Sequence, residues 1–311
     1  MKFSLVVPVY KNELSINRML AVLSQMSEDF EGELEVVFVV DGSPDRSYEL
    51  LRDELGNLSF PAQLITHSRN FGSFAAIRTG LSKARGEFFC VMAADLQEPP
   101  ELFASMFLSL ANDECDVAIG TRTGRDDRIS SKISSGVFWW IYRKLVVKEM
   151  PPGGVDVFGC NEKFRQELLK LEESRSSLVA LIFWLGFRRK LVSYSRSLRQ
   201  EGKSAWTTRK KLDYMTDSIF SFTDLPIRLL IRIGALGTIA SVIVGASVVV
   251  AHFTGAINVP GYVPTILLVL SMGTFNLFGL GLIGSYVWRG YENSKQRPMA
   301  VVSSSLQNNR N

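Results

Sequence analysis

The stretch "FFCVMAADLQEPPE" (88–101) is apolar as far as Ala93-Ala94, then presents Asp95, Gln97 and Glu98 before Pro99-Pro100 closes it. Carboxylate and amide oxygens are the ligands that a hard divalent cation such as Mg2+ or Mn2+ takes. In an extended segment Asp95 and Gln97 flank Leu96 and share one face. The stretch nevertheless carries one carboxylate where a metal site usually has two. Asp95 could equally cap the helix that "PPELFASMFLSL" begins, with Glu98 available beside it. Two further apolar runs end in the same manner. "FSLVVPVY" (3–10) leads to Tyr10 and Glu13, and "LEVVFVVD" (34–41) leads to Asp41 and Ser43.

The elements that must position these groups alternate. β-branched, apolar runs at 3–10, 34–41, 62–68, 87–94 and 116–122 read as strands. Helical periodicity fills 12–26, 47–55 and 74–84 between them. Such alternation predicts an α/β fold with a mainly parallel sheet covered on both faces. Ligands of such sheets bind beyond the carboxyl ends of the strands, where Tyr10, Glu13, Asp41, Ser43, Asp95 and Gln97 are all expected. No G-x-G-x-x-G, phosphate-binding lysine loop or G-x-S-x-G elbow is present. His67 and His252 are the only histidines, so Ser-His-Asp hydrolysis is poorly supplied; His67, at a strand end, reads as structural.

The apolar residues are unevenly spread. From Ile233 to Trp288 the chain has no Asp, Glu, Lys or Arg, room for two membrane passes of about 20 residues each. The turn-forming "NVPGYVP" (258–264) divides the run into expected spans at 231–253 and 263–288. Arg209, Lys210, Lys211, Arg228 and Arg232 precede it, and Arg289, Lys295 and Arg297 follow. The positive-inside rule then puts both termini in the cytoplasm. Residues 208–230 mix these charges with Phe220, Phe222, Leu225 and Ile227, as an interfacial amphipathic helix does. The opening "MKFSLVVPVYKNE" lacks the apolar length and cleavage pattern of a signal peptide. Cys90, Cys115 and Cys160 imply neither a disulfide frame nor a zinc site, which suits a reducing cytosol. The net charge of +4 clusters beside the apolar run and points to anionic lipid, not nucleic acid.

Taken together, "VVPVYKNE", "VVDGSPDRS", "HSRNFGSFAAIRTGL" and "MAADLQEPPEL" resemble, in order and spacing, the family 2 glycosyltransferases. The branch is the polyprenyl-phosphate glycosyltransferases, similar to dolichol-phosphate mannosyltransferase and bactoprenol-phosphate glucosyltransferase. The likeness runs on through "GGVDVFGCNEKF", "RQEGKSAWTTRKK" and "GLIGSYVWRGYENSKQRP". It implies a GT-A nucleotide-diphosphate-sugar transferase domain at 1–207, juxtamembrane amphipathic helices at 208–230, a two-helix transmembrane hairpin within 231–288 and a cytoplasmic tail at 289–311. The implied activity is inverting transfer of one sugar to polyprenyl (undecaprenyl) phosphate at the cytoplasmic face of a bacterial inner membrane. Implied partners are a nucleotide sugar (UDP-linked favoured, GDP-linked next), the polyprenyl phosphate, membrane lipids and, in some relatives, further copies of the chain up to a tetramer.

By the same resemblance Pro8, Tyr10, Glu13, Asp41, Ser43, Asn70, Asp95 and Asp156 bind the nucleotide sugar. Asp95 and Gln97 hold Mg2+ or Mn2+ and, with Arg122, form the catalytic set. Arg122, Arg125, Arg128, Lys132, Ser135, Arg199, Lys203 and Ser204 receive the acceptor phosphate. A phosphate monoester is largely anionic at neutral pH, so this acceptor needs cations more than a general base. The chain departs from the family pattern at Ala93, usually Asp, at Ala205, usually Lys, and at Ser285, usually Glu. Two alternatives remain open: an acceptor hydroxyl on a lipid-linked glycan or glycolipid, and a non-catalytic membrane scaffold with a retained fold.

Overall fold

The computed structural model describes residues 1–122, 139–140, 142–151, 154–155, 157–173, 176–196, 208–254 and 261–308. The chain forms two units, Met1–Tyr214 with Arg297–Asn311, and Met215–Gln296.

The first unit is built on an eight-stranded sheet of order β7-β5-β6-β4-β1-β2-β3-β8. Its strands are β1 (Phe3–Val9), β2 (Leu34–Val40), β3 (Ala62–His67), β4 (Phe88–Val91), β5 (Val117–Arg122), β6 (Phe158–Asn161), β7 (Arg189–Tyr194) and β8 (Val302–Gln307). β1 pairs in parallel with β2 and β4, β2 with β3, and β5 with β7. β6 runs antiparallel between β4 and β5, so β1–β5 and β7 all end at one edge. The expected mainly parallel sheet is present.

Strand alternation explains the layers. Leu5, Val7 and Val9 of β1 and Phe38 of β2 join a buried cluster with helices α1 (Ile16–Asp29), α2 (Ser47–Leu55) and α4 (Pro100–Ala111), through Met19, Leu23, Leu51, Phe103 and Phe107. Val6 and Val39 point to the other face, against Gly80 of α3 (Ser73–Lys83). There α5 (Glu162–Lys170) is tied to α3. Buried Arg78 donates to the carbonyls of Leu168 and Leu169, and Arg165 to those of Leu81 and Ala84. A short helix, α6 (Leu178–Trp184), precedes β7.

The segment expected as the tail, 289–311, contains the strand β8. β8 pairs antiparallel with β3 in register Leu64↔Leu306, and Asn308 accepts from Ala62 N–H at 2.8 Å and donates to the Phe60 carbonyl at 2.8 Å. Without β8, β3 would leave a row of unpaired backbone groups at the sheet edge. The polar sequence "VSSSLQ" hides the strand because most of its side chains face water.

The second unit holds most of α7 (Thr208–Phe222) and all of α8 (Leu225–Phe253) and α9 (Tyr262–Ser294). Ile231, Leu236, Val242, Phe253, Phe275 and Leu277 are all exposed, apolar surface that water does not favour. Among the described residues one stretch, Leu225–Val244, is long and apolar enough by itself to cross a membrane. Arg289 donates to Asp217 at 2.6 Å and lies over Phe220, whose ring meets Tyr286, so the end of α9 is fastened to α7. Lys295 lies over Trp288 and Tyr291, a grouping found where helices leave a bilayer.

Candidate active site

The loops at the carboxyl edge of the sheet are locked to one another. After β1, Lys11 N–H donates to Ser43 Oγ at 2.8 Å, Asn12 N–H to Ser47 Oγ at 3.1 Å and Glu13 N–H to Asp45 Oδ2 at 3.1 Å. Glu13 returns a bond by accepting from Arg46 N–H at 3.1 Å, and Ser43 donates to Asp45 Oδ1 at 2.6 Å. Burial pushes the Asp45 carboxyl up, but hydrogen bonds from Ser43, Ser47 and the Glu13 amide outweigh it and hold Asp45 below its ordinary value. Asp45 escaped the sequence reading, although "SPDRS" before a helix is a turn signal.

Asp41 is the second hub. It is buried, accepts from Phe71 N–H at 2.9 Å and Gly72 N–H at 2.7 Å, and contacts His67 Nδ1 at 2.8 Å. An ionised carboxylate only accepts, so His67 Nδ1 carries the proton. In the neutral ring Nε2 then accepts from the Thr79 hydroxyl, 2.9 Å away. Burial raises the Asp41 carboxyl, while His67 and the two amides lower it further, leaving it below the usual range. His67 is structural, as expected, but its partner was not foreseen. Asn70 donates to the Asp41 carbonyl at 3.3 Å. Gly42 has φ +55°, and a Cβ there would lie 2.2 Å from the Arg69 carbonyl carbon. Only glycine allows these loops to touch.

The turn after β4 is built differently. β4 ends at Val91, earlier than expected, and Leu96 N–H reaches back to the Ala93 carbonyl at 3.4 Å. Leu96 has φ +54°, a left-handed conformation uncommon for leucine. The segment is therefore a turn, and the extended alternation expected for Asp95 and Gln97 does not hold. The capping alternative for Asp95 fails as well: α4 begins at Pro100 with Pro99 before it and no side-chain cap. Ser15 donates to the Ala94 carbonyl at 3.1 Å, joining this turn to the loop after β1.

Asp95 is half-buried, whereas Gln97 and Glu98 are buried. Arg196, two residues past the end of β7, donates to Gln97 Oε1 at 2.5 Å, and its Nε lies 3.9 Å from Glu98 Oε1. Arg196 was not among the sequence candidates. Half-buried Arg122 ends β5 at the same edge, opposite Tyr194 of β7. Pro8 lies within β1 beside Val39, and half-buried Tyr10 follows the strand. The sheet therefore brings Tyr10, Glu13, Asp41, Ser43, Asn70, Asp95, Gln97 and Arg122 to one edge. Arg125, Arg128, Lys132, Ser135, Asp156, Arg199, Lys203, Ser204 and Ala205 lie outside the described residues.

Among the described residues no three His, Cys, Asp or Glu side chains converge as a metal cage. The Gln97 oxygen already accepts from a cation. Asp95 would offer a hard ion one carboxylate, with the rest of the shell left to water or ligand oxygens.

Away from these loops, Tyr142, Ser177 and Tyr214 share their hydroxyls. Ser177 Oγ lies 2.5 Å from the Tyr214 hydroxyl and 3.1 Å from that of Tyr142, and the two tyrosine rings stack. All three residues belong to the first unit. Cys90, Cys115 and Cys160 are buried free thiols, and burial raises all three out of the reactive range.

An α/β sheet whose strand ends gather interlocked loops, carboxylates and arginines defines a class that binds its ligands at the carboxyl edge. The chain belongs to glycosyl transferase family 2, whose model matches residues 4–171, and is a glycosyltransferase. It is 30% identical to the putative glycosyltransferase CsbB of Bacillus subtilis, over 97% of this chain and 91% of that one. It is 26% identical to the bactoprenol glucosyl transferase of Shigella phage SfV, over 99% of this chain and the whole of that one. Among solved structures it is similar to Staphylococcus aureus TarS 1–349 in complex with UDP-GlcNAc, with TM-score 0.46, 20% identity, and 71% of this chain and 67% of that chain covered.

Proposed function

We propose that this glycosyltransferase moves one sugar from a nucleotide-diphosphate sugar to polyprenyl phosphate at the cytoplasmic face of a bacterial inner membrane, inverting the anomeric carbon. The observation that carries the reading is the joining of a cationic, carboxylate-bearing sheet edge with a large exposed apolar helical surface in one chain. End-to-end similarity to a bactoprenol glucosyl transferase supports it.

The loops around Asp41 and Asp45 form a preorganised platform for the nucleotide, with Tyr10 and Asn70 at its rim. Asp41 acts there by ordering the backbone of Phe71 and Gly72, since its carboxylate oxygens serve those amides and His67. Asp95 faces the donor diphosphate, and Mg2+ or Mn2+ bound there would offset the charge of the departing nucleoside diphosphate. Arg122 receives the acceptor phosphate, with Arg125, Arg128, Lys132, Ser135, Arg199, Lys203 and Ser204 assigned to the same task and Asp156 to the sugar.

An acceptor phosphate oxygen attacks the anomeric carbon from the face opposite the leaving group. The bond from that carbon to the β-phosphate oxygen breaks, and its electron pair leaves with the nucleoside diphosphate. The phosphate monoester, with a second pKa of about 6, attacks as an anion and gives up no proton. This agrees with a site whose one histidine, His67, is buried behind Asp41.

The membrane reading has a topological support. The chain leaves the sheet unit after Tyr214 and re-enters it at Arg297, with β8 paired to β3. A chain that crosses a bilayer along α8 must therefore cross back, and α9 is the helix that can do so. Uncharged residues run along α8 from Ile233 and along α9 to Trp288, which supports two passes.

The test is transfer by the purified full chain in lipid vesicles, with labelled UDP- and GDP-sugars and either polyprenyl phosphate or the unphosphorylated polyprenol. The reading expects a labelled lipid from one donor with the phosphate acceptor alone. Transfer to a lipid hydroxyl, or no lipid product with any donor, contradicts it.

A further inference from the structure

The geometry points to Arg196 as a binding residue for the donor diphosphate, supplying at the turn after β4 positive charge that lessens the need for a metal ion. The inference rests on the nucleotide-sugar reading above and concerns a residue outside its motifs.

Arg196 follows β7 at the carboxyl edge of the sheet, beyond Tyr194, which registers with Arg122. It reaches across the chain to the turn that carries Asp95. One guanidinium nitrogen donates to Gln97 Oε1 at 2.5 Å, and Nε stands 3.9 Å from Glu98 Oε1. The Glu98 side chain is 1% exposed while that of Arg196 is 27% exposed, so the arginine is anchored on its inner side and open on its outer side. A guanidinium has five N–H donors in a planar fork, and the fork matches phosphate oxygens two at a time. The anchoring bonds orient that fork at the turn and leave donors over for a ligand.

The charges around it ask for such a role. In the nucleotide-sugar reading Asp95 lies beside the diphosphate, and buried Glu98 adds a second negative charge to the same turn. A dication would ordinarily offset them, yet Ala93 contributes no carboxylate and Gln97 Oε1 is occupied by the arginine. A dication on the same amide oxygen would face the guanidinium at short range, and like charges repel strongly in a partly desolvated site. An arginine held by Gln97 and Glu98 offsets the phosphate charge without that conflict.

The experiment is equilibrium binding of UDP, GDP, uridine and guanosine to the detergent-solubilised full chain, in Mg2+ and in EDTA. Wild type should bind one nucleoside diphosphate in EDTA within about fivefold of its affinity in Mg2+. Arg196→Gln should weaken that binding in EDTA by about tenfold or more, the worth of a hydrogen bond to a charged group. It should leave the matching nucleoside unchanged, which a merely structural role would not do. Arg196→Lys, which keeps the charge but loses the fork, should weaken diphosphate binding in EDTA by less than Arg196→Gln and leave the nucleoside unchanged, and it covers the case in which the glutamine variant folds poorly. Unchanged diphosphate binding in Arg196→Gln, or equal loss for diphosphate and nucleoside, overturns the inference alone. Failure of wild type to bind either diphosphate overturns the nucleotide-sugar reading and the inference with it.

Discussion

Asp41 and Asp95 each follow an apolar strand at the same edge of one sheet, yet their surroundings differ. Asp41 is met by groups of its own fold: His67 and the amides of Phe71 and Gly72. Asp95 sits in a turn with a left-handed leucine, beside Gln97 and Glu98, which an arginine from a distant strand engages. The first carboxylate takes part in three bonds that hold loops still, and in the proposed reading the second lies where ligand charge arrives. Sequence motifs name both as site residues without separating these jobs. The separation comes from counting what each carboxylate already does in the folded protein.

The comparison can be broken most sharply at Asp41. Asp41→Asn removes a charge that accepts bonds from buried donors, at a cost of about 2–4 kcal/mol. The thermal midpoint should fall by roughly 5–15 °C, with transfer recovered on cooling. An unchanged midpoint would show that Asp41 is not the hub. The pH dependence has a definite sign. The folded pKa of Asp41 lies below its unfolded value. Its stabilisation is therefore fully present above about pH 3.9 and is lost as pH falls through the lower folded value. Acid melting curves of wild type should show this loss, and those of Asp41→Asn should lack its share.

A smaller effect is expected at Gly42. Alanine there meets the Arg69–Asn70 backbone and must adopt a left-handed conformation. The expected cost is about 1–3 kcal/mol, read as a lower thermal midpoint, with a weaker nucleotide affinity as the loops separate. The smallest change concerns Ala93→Asp. A second carboxylate beside Asp95 should tighten Mn2+ binding by about tenfold, followed by electron paramagnetic resonance of the free ion, because charge count tunes such sites. Unchanged Mn2+ affinity would mean that residue 93 is too far from Asp95 to share an ion.

Much of the fold was legible because its central strands are apolar and β-branched. The runs at 34–41 and 62–68 became β2 and β3 within a residue or two, and 47–55 became α2 as expected. The edges were not legible. β7 reads "RKLVSY" and β8 reads "VSSSLQ", since edge strands facing water need no apolar alternation. β8 also lies beyond the helical unit, where sequence order gives no hint that the chain returns. At the site, Tyr10 and Glu13 after β1, Asp41 and Ser43 after β2, and Asp95 and Gln97 after β4 were visible as polar side chains after apolar runs. The turn at 93–96 was not, because leucine seldom adopts a left-handed conformation and nothing in "AADLQ" announces one. Arg196 was hidden because its partner lies 99 residues away and its strand was unread.

The most direct test of this account measures sugar transfer and thermal midpoint together for Asp95→Asn in the vesicle system. If Asp95 faces the departing diphosphate, transfer should fall by about 10²–10³-fold while the midpoint stays within about 2 °C of wild type. Wild-type transfer by Asp95→Asn, or a loss of activity matched by a loss of folding like that expected for Asp41→Asn, would contradict it.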